Sequence, residues 1–336
     1  MLGEFMRLLI TGGLGFIGSN FIRYVLSKHP DHRIVNLDAM TYAANPANLK
    51  DIENDRRYTF VRGDICDRKL VEKVAKGVDV IINFAAESHV DRSIAEPEPF
   101  LRTNVIGTQT LLEAARRFGH EKFVQISTDE VYGSISSGSF KERDPLRPSS
   151  PYAASKAAAD MLAHSYIVTY GLPVVITRST NNFGPYQHPE KLIPKLVINA
   201  ISGKPLPLYG DGKSVRDWLY VVDNCEAIDL ILRKGKTGEI YNVGAGNERT
   251  NLEIANFILK ELGKPKSMIK FVKDRPGHDF RYSLNCEKSK ALGWKPKHSL
   301  DSGLKETVKW YKQNKKWWKK LKPRSAENCL KSGRST

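Results

Sequence analysis

Leu8-Leu9-Ile10-Thr11-Gly12-Gly13-Leu14-Gly15-Phe16-Ile17-Gly18 is the stretch that decides the fold. An apolar run of strand length gives way to glycines and then to a helical pattern, so the segment reads strand, turn, helix. Gly12, Gly15 and Gly18 stand three apart. Glycines so placed permit a tight turn, let backbone N–H groups approach a pyrophosphate and bring the helix close to the sheet. The helix N-terminus then stabilises the anion. Asp38 follows Gly18 by twenty positions, at the end of the next strand pattern. A carboxylate there accepts from a ribose 2′-hydroxyl and repels a 2′-phosphate. The segment therefore predicts a dinucleotide site, for NAD rather than NADP.

Outward from this turn, apolar runs of strand length recur at 8–11, 34–37, 59–62, 78–84, 123–127 and 174–178, with helical patterns between them at 19–29, 70–75, 103–118 and 152–170. Such alternation predicts the α/β class, a Rossmann-type doubly wound parallel sheet covered on both faces. Ligands of open sheets bind beyond the carboxyl ends of the strands. Asp64-Ile65 closes the third strand pattern, where it would flank the adenine. Phe84-Ala85-Ala86-Glu87-Ser88 closes the fourth, where small residues let the backbone lie against the cofactor. The second half is less regular, with helical patterns at 250–262 and 302–320 and a strand at 238–243 expected to rejoin the sheet. The expected domains are 6–180 for the dinucleotide, 181–322 as a smaller C-terminal substrate-binding lobe, and 323–336 as a tail.

Composition sets the outer limits. The 336 residues are 40% hydrophobic and 27% charged, which excludes disordered, collagen-like and disulfide-stapled classes. Cys66, Cys225, Cys286 and Cys329 are widely spread, with no C-x-x-C pair and no metal-ligand spacing, so a reducing compartment and no metal are expected. No apolar run approaches the roughly 20 residues of a membrane span, and the expectation is a cytoplasmic protein that binds no membrane. The net charge of +16 raises nucleic-acid binding as an alternative. Residues 309–336, however, hold eight Lys, two Arg and one Glu, more than half of that excess. At 309–322, Trp310, Tyr311, Trp317, Trp318 and Leu321 interleave with lysines and predict a helix with one buried face and solvated lysines. No nucleic-acid partner is expected. The residues before Met6 read as a leader.

Two clusters carry chemistry. Ser127-Thr128-Asp129-Glu130-Val131-Tyr132-Gly133 follows an apolar strand, and Tyr152-Ala153-Ala154-Ser155-Lys156 opens a helix. Tyr152 and Lys156 share one helical face at i and i+4. A free tyrosine titrates near 10, so a neighbouring ammonium and an oxidised nicotinamide would be needed to favour its phenolate.

These segments together resemble the extended short-chain dehydrogenase/reductase family, whose members act on nucleotide sugars. The likeness covers about residues 6–322. The finer match is to its dTDP-glucose 4,6-dehydratases, carried by residues 85–93, Asn181 to Tyr186, Pro189 to Pro194, Arg216 to Val221 and Arg275 to Asp279. The pair Asp129-Glu130 separates these from the family's 4-epimerases and decarboxylases; the alternative reading is another NAD-dependent nucleotide-sugar 4,6-dehydratase, a 4-epimerase or a decarboxylase of the same family. A dehydratase must oxidise C4, eliminate water across C5–C6 and return the hydride to C6, so it needs an acid and a base as well as the tyrosine. The resemblance implies Tyr152 as the base at the 4-hydroxyl, Glu130 as the C5 base, Asp129 as the acid at O6, Thr128 as a partner of O4, and Lys156 as the group that orients the nicotinamide ribose. It adds Ala39, Met40, Thr41, Thr103 and Asn182 to the cofactor residues. Glu87 and Ser88 would face the hexose. For the nucleotide it implies Asn181, Lys191, Leu192, Arg216, Asn251 and the run Asp274, Arg275, Pro276, Gly277 and His278, with Pro207, Leu208 and Tyr209 beside the base. It also implies NAD that stays bound and a homodimer formed by a four-helix bundle from 103–118 and 152–170.

Overall fold

The computed structural model describes residues 5–274 and 277–321. Its strands are β1 (Arg7–Thr11), β2 (Arg33–Asp38), β3 (Tyr58–Arg62), β4 (Val80–Asn83), β5 (Lys122–Thr128), β6 (Val174–Ser179), β7 (Asn181–Phe183), β8 (Leu206–Tyr209), β9 (Val215–Tyr220), β10 (Ile240–Val243), β11 (Glu248–Thr250) and β12 (Ile269–Val272). In the first half the helices are α1 (Phe16–Lys28), α2 (Arg68–Ala75), α3 (Val90–Ala95), α4 (Glu98–Phe100), α5 (Thr108–Phe118) and α6 (Pro151–Tyr170). The second half adds α7 (Leu192–Ile201), α8 (Val221–Lys234), α9 (Asn251–Glu261), α10 (Glu287–Ala291), α11 (Leu300–Gln313) and α12 (Lys315–Lys319).

Seven strands form one parallel sheet in the order β10-β6-β5-β4-β1-β2-β3. Alternate side chains of each strand serve opposite faces. Leu8, Ile10, Val80, Ile82 and Val124 pack with α1 and α8 on one face, whereas Leu9, Ile81 and Phe123 pack with α2, α5 and α6 on the other. Both faces are dry, which is why these strands are continuously apolar. The turn from strand to helix brings α1 and the strand ends to one edge of the sheet.

The second lobe has its own core around Phe183, Leu196, Leu206, Trp218, Ile258 and Leu304. It is built on a three-stranded sheet, β11-β9-β7, and the β12-β8 pair. The chain does not stay in that lobe. Helix α8 buries Cys225, Ile228, Ile231 and Leu232 in the core of the first, and β10 pairs with β6.

Two of the expected helices differ from the sequence pattern. The expected helix at 103–118 begins earlier and winds as a π-helix over Leu101–Gly107. The expected terminal helix at 302–320 breaks at Asn314, whose side-chain amide donates to the Trp310 carbonyl. Tyr311 and Trp318 are still buried and the lysines exposed, as the interleaving predicts.

Candidate active site

Gly12 adopts φ +68°, and a Cβ on it would lie 2.7 Å from the backbone of Ala85. A Cβ on Gly18 would lie 2.5 Å from the Gly12 carbonyl. The turn thus approaches both its own helix and the loop after β4 at distances only glycine allows. Thr11 ties that loop down by accepting from Ala85 N while its hydroxyl donates to Asn83 Oδ1 at 2.7 Å. At the end of β2, the Asp38 carboxylate accepts from Leu14 N at 2.9 Å and Met40 N at 2.8 Å. Burial nonetheless pushes this carboxyl up. Each oxygen keeps a lone pair for a diol.

A cavity of about 310 Å³ runs along the carboxyl edge of the sheet. Gly12, Gly15, Phe16, Ile17, Gly18, Asp38, Ala39, Thr41, Asp64, Ile65, Phe84, Ala85, Ala86 and Thr103 line its cofactor end. Glu87, Ser88, Thr128, Asp129, Glu130, Tyr152, Lys156, Asn181, Asn182 and Lys191 line the rest. Asn181 Oδ1, Asn182 Oδ1, Gln187 Oε1 and Asp129 Oδ2 are buried there without a hydrogen-bond partner among the described residues. Buried polar atoms are normally paired, so these are contacts for a polar ligand. With the glycine cradle and Asp38, the residues present fit a dinucleotide.

The chemistry sits where β5 ends. Thr128 caps a single turn, Asp129–Tyr132, by accepting from Glu130 N at 3.3 Å. Its hydroxyl also donates to Asp129 Oδ1 at 3.2 Å. Helix α6 is capped by Ser150, which accepts from Ala153 N, with Pro151 in the first turn. That cap sets Tyr152 at the start of the helix, facing the Thr128 turn. Burial pushes the Asp129 carboxyl well above the usual range, and the neighbouring Glu130 charge adds to the effect. Asp129 is therefore suited to hold a proton.

Tyr152 is shifted upward too, by burial first and then by Glu130 and Asp129, against a hydrogen bond with Thr128. The sequence led us to expect the opposite direction, from the Lys156 ammonium. Lys156 Nζ instead donates to the Ile126 carbonyl at 2.6 Å, and burial pushes it down to about 8. Of the two cations expected to favour the phenolate, only the nicotinamide would lie outside the chain.

Several predicted residues are off the cavity wall. Met40 has φ +56° and turns its side chain into the core. Leu208 is buried in the second lobe's core, and Leu192 packs against it. Tyr209 stacks edge-on with His278 at 6.0 Å, and His278 pairs with Asp274 at 2.7 Å. Neither these three nor Pro207 and Gly277 line the cavity. Asn251 opens α9, its Oδ1 buried and without a hydrogen-bond partner among the described residues. The Arg216 guanidinium is buried, donating to the carbonyls of Val215, Phe280 and Asp279 over the Tyr282 ring. It is close enough to Asp129 to oppose that carboxyl's upward shift. Arg275 and Pro276 lie outside the described residues.

Other wall residues had no predicted role. Ser179, Gln187 and His188 line the cavity, as do Ser127 and Glu190, which lie inside the quoted motifs without a role of their own. Glu190 lies 3.6 Å from both His89 and Arg92, and Arg92 sits 3.5 Å over the Tyr42 ring. Glu190 adjoins Lys191, so proximity to a predicted ligand was the available signal. Asn104, on the π-helix, accepts from Glu87 N at 2.9 Å and donates to Ser155 Oγ at 2.8 Å. It fixes the loop after β4 to α6, and no local pattern marks it.

A parallel sheet with a glycine turn and an acid at β2 defines a dinucleotide-binding fold, and the Thr-Asp-Glu turn facing Tyr152 and Lys156 defines a dehydrogenase-type site with an added acid–base pair. A sequence profile described as GDP-mannose 4,6 dehydratase matches residues 9–307. The chain is 52% identical to a dTDP-glucose 4,6-dehydratase of Streptomyces niveus over 94% of its length and 96% of that protein's. It is 55% identical to the low-salt glycan biosynthesis protein Agl12 of Haloferax volcanii, over 91% of this chain and 98% of that one. The crystal structure of a dTDP-glucose 4,6-dehydratase from Streptomyces venezuelae with NAD bound superposes with a TM-score of 0.93, at 53% identity, covering 94% of this chain and 100% of that one. The chain belongs to the nucleotide-sugar 4,6-dehydratases, and within them to the family of dTDP-glucose 4,6-dehydratases.

Proposed function

We propose that the protein is a lyase that converts dTDP-glucose into dTDP-4-keto-6-deoxyglucose and water with tightly held NAD. The observation that carries this reading is the Asp129-Glu130 pair facing Tyr152, with Asp129 buried and displaced toward its protonated form and Glu130 half-buried beside it. NAD supplies the place where a hydride is parked between C4 and C6. Tyr152 takes the proton of the 4-hydroxyl, and Thr128 holds O4. The C4 ketone makes the C5 hydrogen acidic, and Glu130 removes it. Asp129 gives its proton to the departing C6 oxygen, which leaves as water. As the hydride returns to C6, Glu130, whose proton exchanges with solvent, returns a proton to C5, and the proton that Tyr152 took from the 4-hydroxyl replaces, through solvent, the one that Asp129 gave up. The net change is loss of one water.

Two further proposals go with this one. Exposed apolar side chains on the π-helix and α6 (Leu101, Ile106, Met161, Val168) support pairing of two copies through these helices. Cys66, Cys225 and Cys286 are free thiols, which suits a cytoplasmic enzyme. Among the described residues no helix is long and apolar enough to cross a membrane.

Turnover of dTDP-glucose carrying deuterium at C4 tests the function. The label should appear in the new C6 methyl group. In deuterated water, one solvent deuterium should appear at C5, with no net reduced cofactor. Label released to solvent would overturn the reading.

A further inference from the structure

We infer that Asp160, together with Arg178, is a positioning residue for catalysis: a buried ion pair behind the site that locks the Tyr152–Lys156 helix to the Thr128–Glu130 turn and sets negative charge behind Lys156. This rests on the reading of Tyr152 and Lys156 as the pair that serves the hydride step.

Asp160 lies one turn beyond Lys156 on α6 and is 1% exposed; Arg178, on β6, is 3% exposed. Asp160 Oδ2 accepts from Arg178 Nε at 2.9 Å and from Ser127 Oγ at 3.0 Å. Ser127 immediately precedes Thr128. Arg178 Nη1 donates to the Tyr132 hydroxyl at 2.7 Å, and its guanidinium lies 4.8 Å from that ring's centre. Tyr132 closes the turn that carries Asp129 and Glu130, and its hydroxyl donates onward to Asn242 Oδ1 at 2.9 Å. Each strut from the ion pair thus ends within one to three residues of a group proposed to touch substrate or cofactor.

A buried ion pair is a poor choice if stability alone is at stake, since apolar residues of equal volume often serve as well. Directed hydrogen bonds into the catalytic turn are what an apolar pair would not provide. Charge placement points the same way. Of the titratable groups in this region, Tyr152 and Asp160 lie on Lys156's own helix, Asp129 and Glu130 line the same cavity, and Arg178 on β6 pairs with Asp160. Burial pushes the Lys156 ammonium down to about 8, and Asp160 is the charge that opposes that push. Asp160 Oδ1 accepts no hydrogen bond among the described residues, so its charge is not fully absorbed by Arg178 and Ser127.

The test is a single-turnover measurement on the NAD-loaded enzyme, following reduced nicotinamide after mixing with dTDP-glucose across a range of pH. The first hydride step should lose rate on the alkaline side as Lys156 loses its proton. Asp160→Asn removes the supporting charge, so that limb should move to lower pH by about one unit, with the plateau falling about tenfold. Ser127→Ala keeps the charge and cuts one strut, so it should lower the plateau and leave the limb in place. The double variant Asp160→Asn with Arg178→Gln leaves no unpaired buried charge and should fold; its limb should also move down. An unmoved limb in both Asp160 variants overturns the inference, and so does failure of both to fold, which would make the ion pair a folding determinant. A wild-type enzyme that never reduces its bound nicotinamide overturns the reading of Tyr152 and Lys156 instead.

Discussion

Asp129 shows how a single side chain is kept unstable for use. Its carboxyl is buried beside the charge of Glu130, with one oxygen unbonded among the described residues. The folded protein therefore binds its proton more tightly than the unfolded chain, and the sign follows. The stability this group contributes is present at acid pH and is lost as pH rises from the ordinary carboxylate range through the raised folded value. Asp129→Asn should melt a few degrees higher than wild type at neutral pH, a gain of about 1–2 kcal/mol, with the difference closing in acid. The same variant should lose about 10²–10⁴ in turnover. Unchanged melting at neutral pH would show that the carboxyl is not strained. Glu130→Gln has a different signature. The first hydride step survives, elimination falls by about 10²–10⁴, and reduced cofactor accumulates on the enzyme. Product at the native rate would remove Glu130 as the C5 base.

Elements decide which of these residues meet, and the sequence was uneven about them. The turn between β1 and α1 was legible because its requirement is local: Gly12 has a left-handed φ and its missing Cβ lets Ala85 close in. Gly12→Ala combines a backbone strain of about 1–2 kcal/mol with a backbone clash. The purified variant should carry little NAD and melt several degrees lower, as cofactor content and calorimetry would read. Full NAD content would contradict the cradle. By contrast, the π-helix at Leu101–Gly107 left no local trace, because its register is fixed by Asn104 reaching Glu87 and Ser155, far apart in the chain. Helix α8 was missed for a related reason. It starts directly after β9 with no glycine or cap side chain to announce it, and its apolar face serves the other lobe's core. Tyr152 and Lys156 were readable as a pair from their spacing. Their charges were not, since burial and the Ile126 carbonyl belong to the fold.

At the scale of the molecule, two lobes meet over the cavity. Lys191 donates to the Ser88 carbonyl at 2.7 Å, Tyr209 donates to Asp91 at 3.2 Å, and Glu190 approaches Arg92. These contacts place the second lobe against the loop and helix that follow β4, and the predicted substrate residues divide between those on the cavity wall and those off it. A set of exposed apolar side chains lies elsewhere, on two adjoining helices. Leu101 and Ile106 on the π-helix are 52% and 54% exposed, and Met161 and Val168 on the adjoining α6 are 60% and 71% exposed. Met161 and Val168 are seven apart and so share one face of α6, a spacing suited to helix-on-helix packing. Two such helices from each of two copies would form a four-helix layer, and a stable pairing needs about 1,200–2,000 Å² of buried surface. Light scattering at micromolar concentration should therefore give twice the chain mass. Replacing Ile106 and Met161 together with Lys should give the single-chain mass, because charged side chains opposite their own copies cannot be desolvated cheaply. Because α6 also carries Tyr152 and Lys156, the separated chains should lose turnover more than they lose NAD. A wild-type protein that scatters as one chain, or a Lys variant that still pairs, would move the interface off these helices.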